Sequence, residues 1–150
     1  MTFFNPKTFL QIGGIALILL GILGFIGLIG PTPEQSIFGS YWWFDNVENW
    51  AHFVLGIVAV IAAYTFSTSF QKTLVAFLGV VGILVGLYGF IWGEMFLGAS
   101  LQNPSDNLLH VIVGGWAVWS AYAARYTLWA KCRKGDIQAC EMLGMHKVTR

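Results

Sequence analysis

Long apolar runs alternate with short polar breaks along this chain. Four of the runs approach the length of a membrane-crossing helix, which needs about 20 mostly apolar residues. They cover 8–30, then about 46–66, 73–93 and 104–129. All four prolines (Pro6, Pro31, Pro33, Pro104) fall at the edges of these runs, where a missing N–H is tolerated. The first run is longer than a signal-peptide core and lacks a small-x-small cleavage site, so it is expected to be retained.

The pattern also repeats. At an offset of 58 (107 minus 49), "DNVENWAHFVLGIVAVIAAY" (45–64) lies over "NPSDNLLHVIVGGWAVWSAY" (103–122). Identities fall at Asn49/Asn107, His52/His110, Gly56/Gly114, Ala59/Ala117, Val60/Val118, Ala63/Ala121 and Tyr64/Tyr122. Upstream, "GILGFI" (21–26) matches "GLYGFI" (86–91). Each copy holds two spans, so both copies enter a membrane from the same side, which makes the repeat parallel. The expected fold is all-α: an integral membrane four-helix bundle of two parallel helical-hairpin repeats. It forms one membrane domain over 1–150, with repeat 1 at about 8–66, repeat 2 at about 73–129 and a cytoplasmic tail at 130–150.

Spacing sets the faces. Asn49, His52, Gly56, Ala59 and Ala63 follow a 3-4-3-4 rhythm and share one helix face, as do Asn107, His110, Gly114, Ala117 and Ala121. The small residues let a second helix approach closely. The partner helices supply Gly21, Gly24, Gly27 and Gly30, and Gly82, Gly86, Gly89 and Gly93. Close packing is therefore predicted at Gly21, Gly24, Gly56, Gly86, Gly89 and Gly114. Asp45 with Glu48, and Asn103 with Asp106, have the spacing of N-cap and N3 residues of capping boxes, with Pro104 at the first helical position.

Composition agrees with the pattern: 57% of residues are hydrophobic and only 10% charged, with mean hydropathy +0.69. A soluble domain would be about one quarter charged. No Lys/Arg-rich run interleaved with aromatics is present, which argues against nucleic acid as a partner. The lipid bilayer is the expected environment. All eight basic residues (Lys7, Lys72, Arg125, Lys131, Arg133, Lys134, Lys147, Arg150) fall on one side of the predicted spans. Glu34, Asp45, Glu48, Glu94 and Asp106 fall on the other. The positive-inside rule then places both termini in the cytoplasm of a multi-pass inner-membrane protein. Cys132 and Cys140 lie on that reducing side and are expected to be free thiols. With His146 they match no common zinc spacing. The tail from 131 to 148 is expected to form a short amphipathic helix on the inner membrane surface.

The two "NxxHxxxG" copies, with "GILGFI", "GLYGFI" and "NPSDNLLH", resemble the bacterial membrane family catalogued as domain of unknown function 4383. The resemblance covers about 10–125. The Trp-rich first outer loop, "SIFGSYWWFDN", and the tail depart from the family's usual pattern. Membership implies a four-span integral membrane protein and brings no established activity.

The remaining question is what the repeated polar residues do. Asn and His one turn apart can hydrogen-bond each other and the loop backbone of the facing hairpin, so Asn49, His52, Asn107 and His110 are read first as structural polar locks. As an alternative, His52 and His110 suffice as axial ligands to a haem or as ligands to chlorin magnesium, in an electron-transfer or light-harvesting subunit. With Glu94 they suffice for a transition-metal site in a small membrane enzyme or carrier. No Ser/His/Asp set, His-Glu-x-x-His or phosphate-cradling loop occurs, and no catalytic residue is assigned. Trp42, Trp43, Trp50 and Trp92 form either an interfacial aromatic belt or a docking patch. The favoured reading is a non-enzymatic accessory or assembly subunit whose partners are other membrane-protein subunits.

Overall fold

A computed structural model describes residues 4–93 and 95–143. Glu94 and His146, both invoked from the sequence, lie outside the described residues. The chain is predominantly helical. Helix α1 spans Pro6–Phe25, α2 Asn46–Thr65, α3 Thr68–Trp92, α4 Ser105–Arg133 and α5 Ile137–Met142. A two-residue antiparallel pair, β1 (Met95–Phe96) with β2 (Ala99–Ser100), precedes α4.

Helices α1, α2 and α3 are long and apolar enough to cross a membrane, which fits a membrane protein. Helix α4 has 29 residues, but Asn107, His110 and the stretch "GGWAVWS" (114–120) dilute its hydropathy. Large apolar side chains point outward along the helices; Ile15 is 56% exposed, Ile61 53% and Leu84 59%.

Each boundary has a local cause. Asn5 accepts from the Thr8 N–H at 2.9 Å and Pro6 occupies the first turn of α1. Helix α1 stops earlier than the apolar run suggested, because Gly27 takes φ +81. The Leu28 N–H then returns to Leu23 O at 2.9 Å and the Gly27 N–H to Gly24 O at 3.2 Å, a Schellman motif. Gly27 and Gly30 are thus loop residues rather than part of a packing stripe. Helix α3 starts earlier than expected, capped by Ser67, whose hydroxyl accepts from the Phe70 N–H. Only Phe66 and Ser67 separate it from α2. In its first turn the buried Gln71 donates from Nε2 to Ala62 O, Ala63 O and Phe66 O at 3.2, 3.0 and 3.0 Å. Ala62 O also accepts from the Phe66 N–H at 3.2 Å, whereas Ala63 O and Phe66 O would otherwise be orphans at the end of α2.

Helix α1 packs along α2, and α3 along α4. A Cβ at Gly14 would meet Gly56 O at 2.9 Å, and a Cβ at Gly79 would meet Gly114 O at 2.8 Å. Gly21 lies against Asn49 O and Phe53, and Gly86 against Asn107 O and Val111. Gly24 and Gly89 touch the carboxamides of Asn49 and Asn107. At the opposite end, Lys7 sits over the Tyr64 ring at 5.6 Å and Lys72 over Tyr122 at 5.0 Å. The apolar core lies toward that same end. Phe9, Leu10, Ala59, Ala62, Ala63, Val75, Ala117 and Ala121 meet there. The Phe9 and Trp116 rings, 4.7 Å apart, join α1 to α4.

The tail differs from expectation. Helix α4 continues to Arg133, Gly135 turns the chain with φ +95, and α5 has only six residues. That turn brings Cys140 beside Cys132 with Cα atoms 4.7 Å apart, and the two form a disulfide. The expectation of free thiols rested on compartment alone and is corrected by this geometry.

Candidate functional site

The N-terminal ends of α2 and α4 carry four of the buried polar residues. Glu48 is 3% exposed, Asp106 1%, and Asn49 and Asn107 0%. Three loop segments position them: residues 26–45, the β1–β2 turn and residues 101–104.

Asp45 caps α2 in a complete capping box. Its Oδ1 accepts from the Glu48 N–H at 2.9 Å, while the Asp45 N–H donates to Glu48 Oε2 at 3.1 Å. Its second oxygen, Oδ2, accepts from the Ser100 N–H at 2.8 Å, across to the other hairpin. Helix α4 is entered differently. Pro104 stands at the N-cap without a side-chain cap bond, so Asn103 does not cap the helix as its spacing suggested. Instead Asp106 reaches back, its Oδ2 accepting from the Gln102 N–H at 2.9 Å. Its Oδ1 accepts from the Trp42 indole N–H at 2.6 Å.

Further bonds cross the same seam. The Ser105 hydroxyl donates to Tyr41 O at 2.8 Å, and the Trp43 N–H donates to Gln102 Oε1 at 3.4 Å. Ser36 holds the loop itself by donating to Trp42 O at 2.7 Å. Both oxygens of Asp45 and both of Asp106 are therefore used, and each aspartate ties one hairpin's loop to the other. Of the four tryptophans assigned to a docking patch, Trp42 is turned inward on Asp106 and Trp43 is half-buried. Trp50 and Trp92 face outward, 58% and 70% exposed.

Asn and His do not bond to one another, contrary to the lock expected from their spacing. His52 Nδ1 lies 2.8 Å from Glu48 O and His110 Nδ1 2.8 Å from Asp106 O, each one turn back on its own helix. The Phe44 ring packs on His52 at 4.8 Å between centroids. Asn49 donates from Nδ2 to Phe44 O at 3.3 Å. Among the described residues, Asn107 has no conventional partner for either amide atom, and Asn49 Oδ1 has none either. Each carboxamide oxygen instead rests on a glycine Cα, Gly24 or Gly89. The recurrence of that placement fits a Cα–H···O contact. The two helices bring Glu48 within electrostatic reach of Asp106, and His52 within reach of His110.

Among the described residues, no three His, Cys, Asp or Glu side chains are gathered to hold a metal ion. The trio of His52, His110 and Glu94 cannot be assembled from them, since Glu94 lies outside. Sequence reasoning missed Trp42 as an Asp106 donor, Gln102 as a bridge and Gln71 as a cap. Gln71 lies in the polar break between two apolar runs, among Ser67, Thr68, Ser69 and Lys72, where nothing local set it apart. Compared with protein-family models, with curated proteins and with solved structures, the chain finds no match.

Proposed function

We propose that this chain is a four-span membrane protein, built of two like hairpins with both termini cytoplasmic, that serves as a non-catalytic accessory subunit of a larger membrane complex. In this reading it belongs with the domain-of-unknown-function 4383 proteins it resembles. One observation carries the proposal. The carboxylates of half-buried Asp45 and buried Asp106 accept hydrogen bonds from the opposite hairpin, at Ser100 and Trp42. Such groups hold one arrangement of helices in place, as expected of a part whose job is to be assembled. The repeated glycine contacts and the two Lys–Tyr pairs support the duplication. The outward Trp50 and Trp92 suit an interface with other subunits.

The test is gentle solubilisation of native membranes followed by sizing, with and without Trp50→Ala and Trp92→Ala. The expected result is a stoichiometric membrane-protein partner that dissociates in the Trp variants and falls in abundance when this chain is deleted. A chain that is monodisperse alone, in membranes whose other complexes are unaffected by its deletion, would overturn the proposal. An alkaline-phosphatase fusion after Arg150 should be inactive if the tail is cytoplasmic.

A further inference from the structure

The only two lysines or arginines before Arg125 are Lys7 and Lys72, and they take the same place in their hairpins. Their separation of 65 (72 minus 7) is also that of "GILGFI" from "GLYGFI" (86 minus 21). Each ammonium stands over a tyrosine of the neighbouring helix, Tyr64 at 5.6 Å and Tyr122 at 5.0 Å from the ring centroid. These tyrosines match at the other offset, 58 (122 minus 64), so the same cation and the same ring recur in both hairpins. A ring face attracts the ammonium but brings no counter-charge. Among the described residues neither lysine has a carboxylate partner, and neither tyrosine hydroxyl has a hydrogen bond. Lys7 lies in the first turn of α1 and Tyr64 in the last turn of α2, at the end of two apolar spans. Tyr64 is 69% exposed and Tyr122 49%. Beyond Tyr122, α4 runs on through Arg125, Lys131 and Arg133 to Lys134, with only Asp136 and Glu141 against them among the described residues. This end of the molecule carries an excess of positive charge that the chain itself does not balance.

We propose that each Lys–Tyr pair holds the phosphate of one anionic phospholipid at the end of the membrane-spanning helices. The lysine offers a point charge with free N–H donors to the phosphate oxygens, and the tyrosine hydroxyl donates a second bond. The ring itself stays at headgroup level, where interfacial aromatics reside. Position favours a lipid over a free anion: both pairs end helices whose outward faces are apolar, so a headgroup phosphate is already held at their depth. A zwitterionic headgroup brings a cation of its own, which the surrounding bases repel, whereas an anionic one complements them. The site rests on the membrane-spanning part of the function proposed above. It does not depend on the accessory-subunit part, nor on which side of the membrane the tail faces.

The experiment uses the full-length chain in mild detergent with equimolar phosphatidylglycerol and phosphatidylcholine, and counts retained lipids by native mass spectrometry. Two phosphatidylglycerol molecules per chain are expected, held in preference to phosphatidylcholine. Lys7→Ala and Lys72→Ala should each weaken one of the two sites about fivefold, and the double variant should abolish the preference. Tyr64→Phe and Tyr122→Phe, which keep the ring, should weaken retention less. Lys134→Ala removes the same charge where no ring is paired and should leave retention at the wild-type level. Equal retention of the two lipids by the wild-type chain overturns the site without recourse to any variant. A loss in Lys134→Ala as large as in Lys7→Ala overturns it as well, because the attraction is then not local. Displacement of phosphatidylglycerol by millimolar inorganic phosphate overturns the lipid and assigns a free-anion site. Release of the chain from native membranes by alkaline carbonate would sink the membrane reading and this site together. A carbonate-resistant chain without the phosphatidylglycerol preference sinks the site alone.

Discussion

Asn49 and Asn107 occupy matching places, each with its carboxamide oxygen on a glycine of the neighbouring helix. Yet Asn49 has a partner for its N–H2 group and Asn107 has none. The helices are alike, so the difference comes from the loops above them. In the first hairpin the Phe44 carbonyl is left over by the capping box and faces Asn49. In the second, the corresponding position is Gln102, whose carbonyl is already taken by the Asp106 N–H at 2.9 Å. A change in how a helix is capped has thus removed a hydrogen bond from a buried side chain three residues beyond the N-cap. Helix–helix packing tolerated that loss because it depends on the glycines.

The sharpest way to break the likeness is to fill those glycines. Gly24→Ala and Gly89→Ala each drive a Cβ into the carboxamide of a fully buried asparagine. Each should destabilise the protein by about 3 kcal/mol, within the range for overpacking. Thermal unfolding in detergent would measure it, and the pairings Gly24→Ala/Asn49→Ala and Gly89→Ala/Asn107→Ala should recover most of the loss. Equal costs in the two hairpins would support the shared geometry, and a harmless Gly89→Ala would refute it.

A smaller effect separates the two asparagines. Asn49→Ala leaves the Phe44 carbonyl unpaired, whereas Asn107→Ala deletes two amide atoms that had no partner. The cavities left behind are alike, so the first should cost about 1 kcal/mol more than the second. Chemical denaturation of both variants gives this difference, and equal costs would mean that the 3.3 Å bond to Phe44 contributes nothing. The smallest effect lies in the second hairpin's own turn. Leu97 is 88% exposed with φ 52, followed by Gly98 at φ 92. This is the type I′ geometry that favours Asn-Gly. Leu97→Asn should stabilise by up to about 1 kcal/mol, read as a raised melting temperature. An unchanged or lower value would count against that turn.

The helical segments and the glycine faces were legible in the sequence because both are periodic: a residue every three or four positions leaves a mark that needs no partner. The Asp45–Glu48 capping box was legible for a related reason, since both residues belong to one turn. The Asp106–Trp42 bond was not. It joins residues 64 positions apart, and nothing local marks which tryptophan will turn inward. The end of α1 was misjudged because Gly27 looks like one more member of a glycine stripe until its backbone takes a positive φ. The two cysteines failed differently. Their pairing depends on a reversal at Gly135, whereas the expectation about them came from the side of the membrane. For His52 and His110, spacing gave the face but not the tautomer, which only the contacts to Glu48 O and Asp106 O define.

Gln71 has a consequence for modularity. It belongs to α3 but serves the carbonyls that end α2, across a joint of two residues. Severing the chain between Phe66 and Ser67 would not release two self-sufficient hairpins, because the first would lose the group that finishes it. During synthesis, α2 acquires its final hydrogen bonds only once the opening turn of α3 has been made. Whatever the origin of the two halves, this joint makes the first half's completion contingent on the second.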